Sequence, residues 1–123
     1  MSVVLVADDQ PDIRLLARLV LQQAGHEVIE AASGRDTLEA VEREHIDVLL
    51  LDLEMPDVDG WEVLDELERA GRLRSLAVVA VSAHGDPSLM RDAISRGCRD
   101  YVGKPFDPDS LVAAVADALT LSG

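Results

Sequence analysis

The sequence predicts an α/β fold, a doubly wound five-stranded parallel sheet with helices on both faces. Three observations predict it. Apolar runs recur at 3–7, 28–32, 48–51, 76–81 and 101–102. Segments of helical periodicity separate them. The middle runs are nearly all apolar, as burial on both faces of a parallel sheet requires. Alternation at this spacing means right-handed crossovers. The 123 residues make one domain, 1–123, with no linker, repeat or low-complexity stretch.

The elements follow in order. "VVLVA" at 3–7 is the first strand, and "PDIRLLARLVLQQAG" the first helix. Pro11 opens that helix and Gly25 closes it, with Ile13, Leu16, Leu19 and Val20 as its expected buried face. "VIEAA" leads into "SGRDTLEAVERE", capped by Ser33, which buries Leu38 and Val41. "VLLL" leads into "GWEVLDELERAG", which buries Val63, Leu64 and Leu67. "LAVVAV" precedes "DPSLMRDAISRG", where Asp86 caps and Pro87 takes the first turn. The short "YV" precedes "DPDSLVAAVADAL", with the same Asp-Pro opening at Asp107 and Pro108.

Composition narrows the function. Hydrophobic residues are 48% of the chain and aromatics 2%, so the core is aliphatic. The net charge of −13 repels phosphate backbones and argues against direct nucleic-acid binding. No run is long enough to insert in a membrane, and "MSVVLVADDQ" is a poor signal peptide. A lone Cys98 excludes an internal disulfide and suits a reducing, cytoplasmic setting.

In this fold class, ligands sit beyond the carboxyl ends of the strands. Those ends carry Asp8 and Asp9, then Asp52, then Ser82, Ala83 and His84, then Gly103, Lys104 and Pro105. Three carboxylates, a hydroxyl and an ammonium therefore converge on one rim. Asp8, Asp9 and Asp52 repel one another unless a cation joins them. Hard oxygen ligands suit Mg²⁺, shared with a phosphate oxygen. A carboxylate beside Mg²⁺ and Lys104 is arranged to accept a phosphoryl group as a nucleophile. The metal and ammonium stabilise charge on the transferring oxygens, and Ser82 can donate to the product.

These residues carry a resemblance. "VLVADDQPDIR", "LLLDLEMPDVDG", "VVAVSAH" and "RDYVGKPF" resemble the motifs of the receiver domain of two-component response regulators. The spacings agree, with 30 residues from Asp52 to Ser82 and 22 from Ser82 to Lys104. The resemblance implies a flavodoxin-like strand order 2-1-3-4-5. It also implies that Asp52 takes a phosphoryl group from a histidine kinase or histidine phosphotransfer protein. Mg²⁺ would be held by Asp8, Asp9, Asp52 and the backbone carbonyl of Glu54, and Lys104 would pair with the phosphoryl group. Ser82 would swing toward it while Tyr101 rotates inward, changing the surface of helix 4, strand 5 and helix 5 to control a downstream protein partner. Leu89, Met90, Tyr101 and Leu111 are candidates on that surface. Lys104–Pro105 is a candidate cis peptide. Glu54 and His84 flank the site and are read as setting the phosphoryl lifetime.

The expected function is a phosphorylation-activated signalling switch without an output domain, self-dephosphorylating slowly and not otherwise an enzyme. Three other readings compete. A Mg²⁺-dependent small phosphatase would want a substrate-enclosing cap. A flavin or nucleotide carrier would want a phosphate-cradling loop where "ADDQPD" stands. A receiver-like interaction domain indifferent to phosphate has no need of all five site residues.

Overall fold

The computed structural model describes residues 2–83 and 87–120. The elements are β1 (Val3–Ala7), α1 (Pro11–Gln23), β2 (Glu27–Ala31), α2 (Gly34–Arg43), β3 (Val48–Asp52), α3 (Gly60–Arg69), β4 (Ala77–Ser82), α4 (Pro87–Ser95), β5 (Asp100–Gly103) and α5 (Pro108–Thr120). A short 3-10 helix at Arg72–Arg74, absent from the sequence reading, joins α3 to β4. The five strands form one parallel sheet in the order β2-β1-β3-β4-β5, the predicted order.

Because side chains alternate across a strand, each apolar run serves two cores. Leu5, Leu49, Leu51, Val78 and Ala80 point to one face, where Val41 of α2 and Val63, Leu64 and Leu67 of α3 cover them. Val4, Val6, Val48, Leu50, Val79 and Val81 point to the other, under Ala17 and Leu21 of α1 and Leu111 and Val115 of α5. Burial on both sides is what the unbroken apolar runs encode.

Helix starts are set by local hydrogen bonding. Ser33 Oγ accepts from the Asp36 amide at 3.1 Å, and Asp59 Oδ1 from the Glu62 amide at 2.9 Å. Asp107 accepts from the Asp109 amide at 3.0 Å and from Ser110 Oγ at 2.7 Å. Each satisfies a donor that the helix itself leaves unpaired. The cap expected at Asp86 lies outside the described residues. Gly25 ends α1 in the left-handed region, at φ 96°, which L side chains resist.

Several local expectations are corrected. The buried face of α1 is Ala17 and Leu21, while Leu16 and Leu19 are 42% and 50% exposed. At about 100° per residue, Leu19 lies opposite the Ala17–Leu21 stripe. The apolar arc of α1 is wider than the sheet can cover, and the small Ala17, not the large leucines, marks its centre. Leu38 is only half-buried, beside the fully buried Val41. Strand β2 runs from Glu27 to Ala31, one residue earlier than expected, and most of it is half-buried because it forms the sheet edge. Leu111 lies on the buried face of α5, so it cannot belong to a partner surface, whereas Met90 is 43% exposed.

Candidate functional site

Parallel strands deliver their carboxyl ends to one rim, and that is where the buried polar residues gather. Asp8 is 3%, Asp52 2% and Ser82 1% exposed. The register explains their closeness. Strand β3 lies between β1 and β4, with Ala7 beside Leu51 and Asp52 beside Val81. Asp8 follows β1 directly, Asp52 is the last residue of β3, and Ser82 the last of β4.

Lys104 Nζ is the hub. It lies 2.8 Å from Asp8 Oδ2 and 3.2 Å from Asp52 Oδ2. It also donates to Gln10 Oε1 at 3.2 Å. The backbone brings it there: the Lys104 amide donates to the Ser82 carbonyl at 2.8 Å, extending the β4–β5 pairing by one bond. The Lys104–Pro105 peptide is cis, as the resemblance implied.

Each carboxylate is held by backbone donors. The Glu54 amide donates to Asp52 Oδ1 at 3.0 Å, and the Gln10 amide to Asp8 Oδ1 at 2.9 Å. Arg14 Nη1 donates to the Asp8 carbonyl at 2.8 Å while its Nε pairs with Glu30 at 3.2 Å. Helix α1 and strand β2 therefore brace the turn that presents Asp8. On the far side, Gly60 approaches Asp52 so closely that a Cβ there would lie 2.5 Å from the Asp52 carbonyl oxygen.

Like charges crowd this rim. Burial raises the pKa of Asp52 from 3.8 to about 6, and the charge of Asp8 adds to the rise. The Glu54 amide and Lys104 oppose it. Burial alone would lower the pKa of Lys104, but its bond to Asp8 and the charges of Asp52 and Asp8 outweigh that and hold it above the usual range. Asp8, Asp9 and Asp52 each present an oxygen within 4.8 Å of the others. Three carboxylates against one ammonium leave excess negative charge on hard oxygen donors, which fits a small dication.

Ser82 is on the rim, but its hydroxyl is committed elsewhere. Ser82 Oγ donates to Glu54 Oε1 at 2.7 Å, and the Ala83 amide donates to the same oxygen at 3.0 Å. Tyr101 is half-buried in β5, opposite Ala80, three residues before Lys104, and it packs against the core cluster on the face covered by α2 and α3. It is off the rim. His84 lies outside the described residues.

Sequence reasoning missed Gln10, Arg14 and Glu30, and it set the Glu54 side chain beside the site without its bond to Ser82. Gln10 stood in the quoted "ADDQPD" with nothing to distinguish it from a turn residue. Arg14 and Glu30 are 16 residues apart, and only the packing of α1 against β2 joins them.

Comparison with known proteins identifies the family. The family model for the response regulator receiver domain matches residues 4–116. The transcriptional regulatory protein KdpE of Mycobacterium tuberculosis is 39% identical over 119 residues, covering 97% of this chain and 51% of that protein. Sporulation initiation phosphotransferase F of Bacillus subtilis is 31% identical over 118 residues, covering 96% and 94%. The solved receiver domain of the Francisella response regulator 1452 matches with a TM-score of 0.92 at 26% identity, covering 100% of each chain. The chain spans about half the length of the transcriptional regulators it matches. Receiver domains generally use Mg²⁺ and interact with histidine kinases or phosphotransfer proteins and with downstream effectors. None of the described helices is long and apolar enough to cross a membrane. The chain belongs to the response regulator receiver domain family, the signalling modules of two-component systems that are phosphorylated on an aspartate.

Proposed function

We propose that Asp52 is the phosphoacceptor of this receiver domain and that Lys104, Asp8, Asp9 and Ser82 serve it. One observation carries the reading: Lys104 Nζ bridges Asp8 and Asp52 at 2.8 and 3.2 Å on a rim of three carboxylates. An Asp52 oxygen attacks the phosphorus of a phosphohistidine, an O–P bond forms, the P–N bond breaks, and the freed imidazole nitrogen takes a proton. Asp8, Asp9, Asp52 and the Glu54 carbonyl would hold Mg²⁺, which when bound neutralises charge on the transferring oxygens. Lys104 is already ion-paired to the nucleophile, so its ammonium needs little movement to pair with the product. Hydrolysis of the resulting acyl phosphate by water returns the switch to rest, and Glu54 and His84 are the residues proposed to set its rate.

The output runs through Ser82 and Tyr101. Ser82 ends β4, and Tyr101 sits on the neighbouring strand β5, beside a groove it lines with Asp100, Phe106, Asp107 and Asp117. Movement of the Ser82 hydroxyl toward a phosphoryl group, with Tyr101 following inward, would reshape the α4–β5–α5 surface for a downstream partner. A cytoplasmic setting suits such a module, whose one described cysteine, Cys98, is free and buried.

The test is a fluorescence titration of Trp61 with beryllofluoride, a phosphoryl mimic, in the presence of Mg²⁺. Trp61 is placed to respond, because Arg96, just beyond α4, lies 5.2 Å from its ring centroid and pairs with Asp65 of α3 at 3.4 Å. The expected result is a saturable, Mg²⁺-dependent change that Asp52→Asn abolishes. Intact mass after a small-molecule phosphodonor should show one added phosphoryl group in the native chain and none in the variant. Addition to both chains would move the acceptor away from Asp52.

A further inference from the structure

The Glu54 side chain takes hydrogen bonds from the two donors at the end of β4. Its Oε1 accepts from Ser82 Oγ at 2.7 Å and from the Ala83 amide at 3.0 Å. The Glu54 amide meanwhile holds Asp52 Oδ1 at 3.0 Å. One residue thus ties the acceptor carboxylate to the end of the neighbouring strand. A serine hydroxyl has a single proton to donate, and a backbone amide likewise. While both go to Glu54, neither can go to a phosphoryl oxygen on Asp52.

Lys104 and these two donors come from different strands, β5 and β4. Lys104 approaches Oδ2 from β5, whereas Ser82 and Ala83 approach from the β4 end, where Asp52 pairs with Val81. A phosphoryl group carries three terminal oxygens, which a single ammonium cannot satisfy. The donors on the β4 side are needed, and a carboxylate oxygen of similar charge already fills them.

We infer that Glu54 is a positioning residue that latches the unphosphorylated switch, its carboxylate standing in for a phosphoryl oxygen on Ser82 and Ala83 until phosphorylation of Asp52 displaces it. This rests on the reading of Asp52 as acceptor. Glu54 is exposed while Ser82 is buried, so the displaced carboxylate returns to water and the hydroxyl turns to its new partner. The latch lowers the apparent affinity for a phosphoryl mimic by the fraction of molecules in which it is open. It also couples arrival of the group to release of Ser82, since the hydroxyl moves only when a competing oxygen replaces Glu54.

Chain length separates this from simple repulsion between Glu54 and the acidic rim. Glu54→Asp keeps the charge but shortens the reach by one methylene. Glu54→Gln keeps the reach and the acceptor oxygen but loses the charge. Beryllofluoride with Mg²⁺ is titrated into the 123-residue chain and these variants at pH 7, read by Trp61 fluorescence. The latch predicts that Glu54→Asp and Glu54→Ala tighten apparent binding about 10-fold, the size of one charge-assisted hydrogen bond. Glu54→Gln, which keeps a weaker latch, should tighten it less. In the unliganded protein, the Ala83 amide proton should move upfield in Glu54→Asp and Glu54→Ala relative to the native chain. Native-like affinity for Glu54→Asp, with tighter binding in Glu54→Gln and Glu54→Ala, would make the effect one of charge and overturn the latch. An unmoved Ala83 amide would overturn it as well. A native chain that ignores beryllofluoride would instead sink the acceptor reading, and the latch with it.

Discussion

Lys104 Nζ stands 3.2 Å from Asp52 Oδ2, although the strands that lead to them are not neighbours. Strand β4 lies between β3 and β5, and Lys104 reaches across its end. An ion pair spanning three strands ties the rim together, and both partners are nearly excluded from water, at 11% and 3% side-chain exposure.

Removing that ammonium should cost stability. Lys104→Met leaves Asp8 and Asp52 facing each other without their shared cation, and a buried pair that loses one partner is strongly destabilised. We expect a loss of about 2–4 kcal/mol at pH 7 from urea unfolding. Added Mg²⁺ should recover part of it, because Asp8, Asp9 and Asp52 remain. An unchanged urea midpoint would show that the pair contributes nothing net.

Asp52 itself carries a cost at neutral pH. The folded state raises its pKa from 3.8 to about 6, so between those values the native protein holds a proton that the unfolded chain has lost. Stability therefore falls as pH rises through that window, and the cost is full above about pH 6. Asp52→Asn, which keeps the shape and an acceptor oxygen, should raise the thermal midpoint by about 5–10 °C at pH 7. At pH 4 the gain should vanish. Mg²⁺ should raise the midpoint of the native chain more than that of the variant.

The close approach of Gly60 to β3 makes it a test of the scaffold. In Gly60→Ala the new methyl would meet the Asp52 carbonyl oxygen and the Leu53 Cα at 2.5 Å, both backbone atoms that cannot rotate away. Overpacking of this kind should cost about 2–3 kcal/mol. Because the strand end must shift, beryllofluoride affinity should fall together with the urea midpoint. A drop in stability with unchanged affinity would mean that Asp52 is positioned independently of α3.

The exposed leucines of α1 should be dispensable for folding. Leu16→Lys and Leu19→Lys, separately or together, should change stability by less than about 0.5 kcal/mol. We propose the apolar stripe left uncovered on the helix that follows Asp9 as the surface that meets a protein phosphodonor. The double variant should then take phosphate from acetyl phosphate at the native rate but from a phosphohistidine protein at least about 10-fold more slowly, which is 1.4 kcal/mol of docking energy. Equal slowing with both donors would place the defect at the rim instead.

The legible part of this protein is that which depends on one strand or helix at a time. Alternating apolar runs named five strands, since burial on both faces leaves no polar position in β3 before Asp52 or in β4 before Ser82. Parallel strands all end at one rim, so Asp8, Asp52, Ser82 and Lys104 could be placed together without knowing any distance. The motifs around Asp8, Asp52, Ser82 and Lys104, with spacings that agree, carried the resemblance that named the family.

Only the tertiary structure decided which side chains meet. Lys104 finds Gln10 across 94 positions of sequence, and Ser82 finds Glu54 across 28, because strand order makes neighbours of distant segments. The buried face of α1 was likewise settled by the sheet: the helix offered a broad apolar arc, and packing chose Ala17 and Leu21 over Leu16 and Leu19. Periodicity reports how much apolar surface a segment has, but the partner surface determines which part is covered. The amino-acid sequence by itself thus determined the sheet, the rim and the chemistry available there. Folding decided how that chemistry is held at rest, with Lys104 on the carboxylates and Glu54 on the switch hydroxyl, because hydrogen bonds of about 3 Å depend on positions that no local pattern encodes.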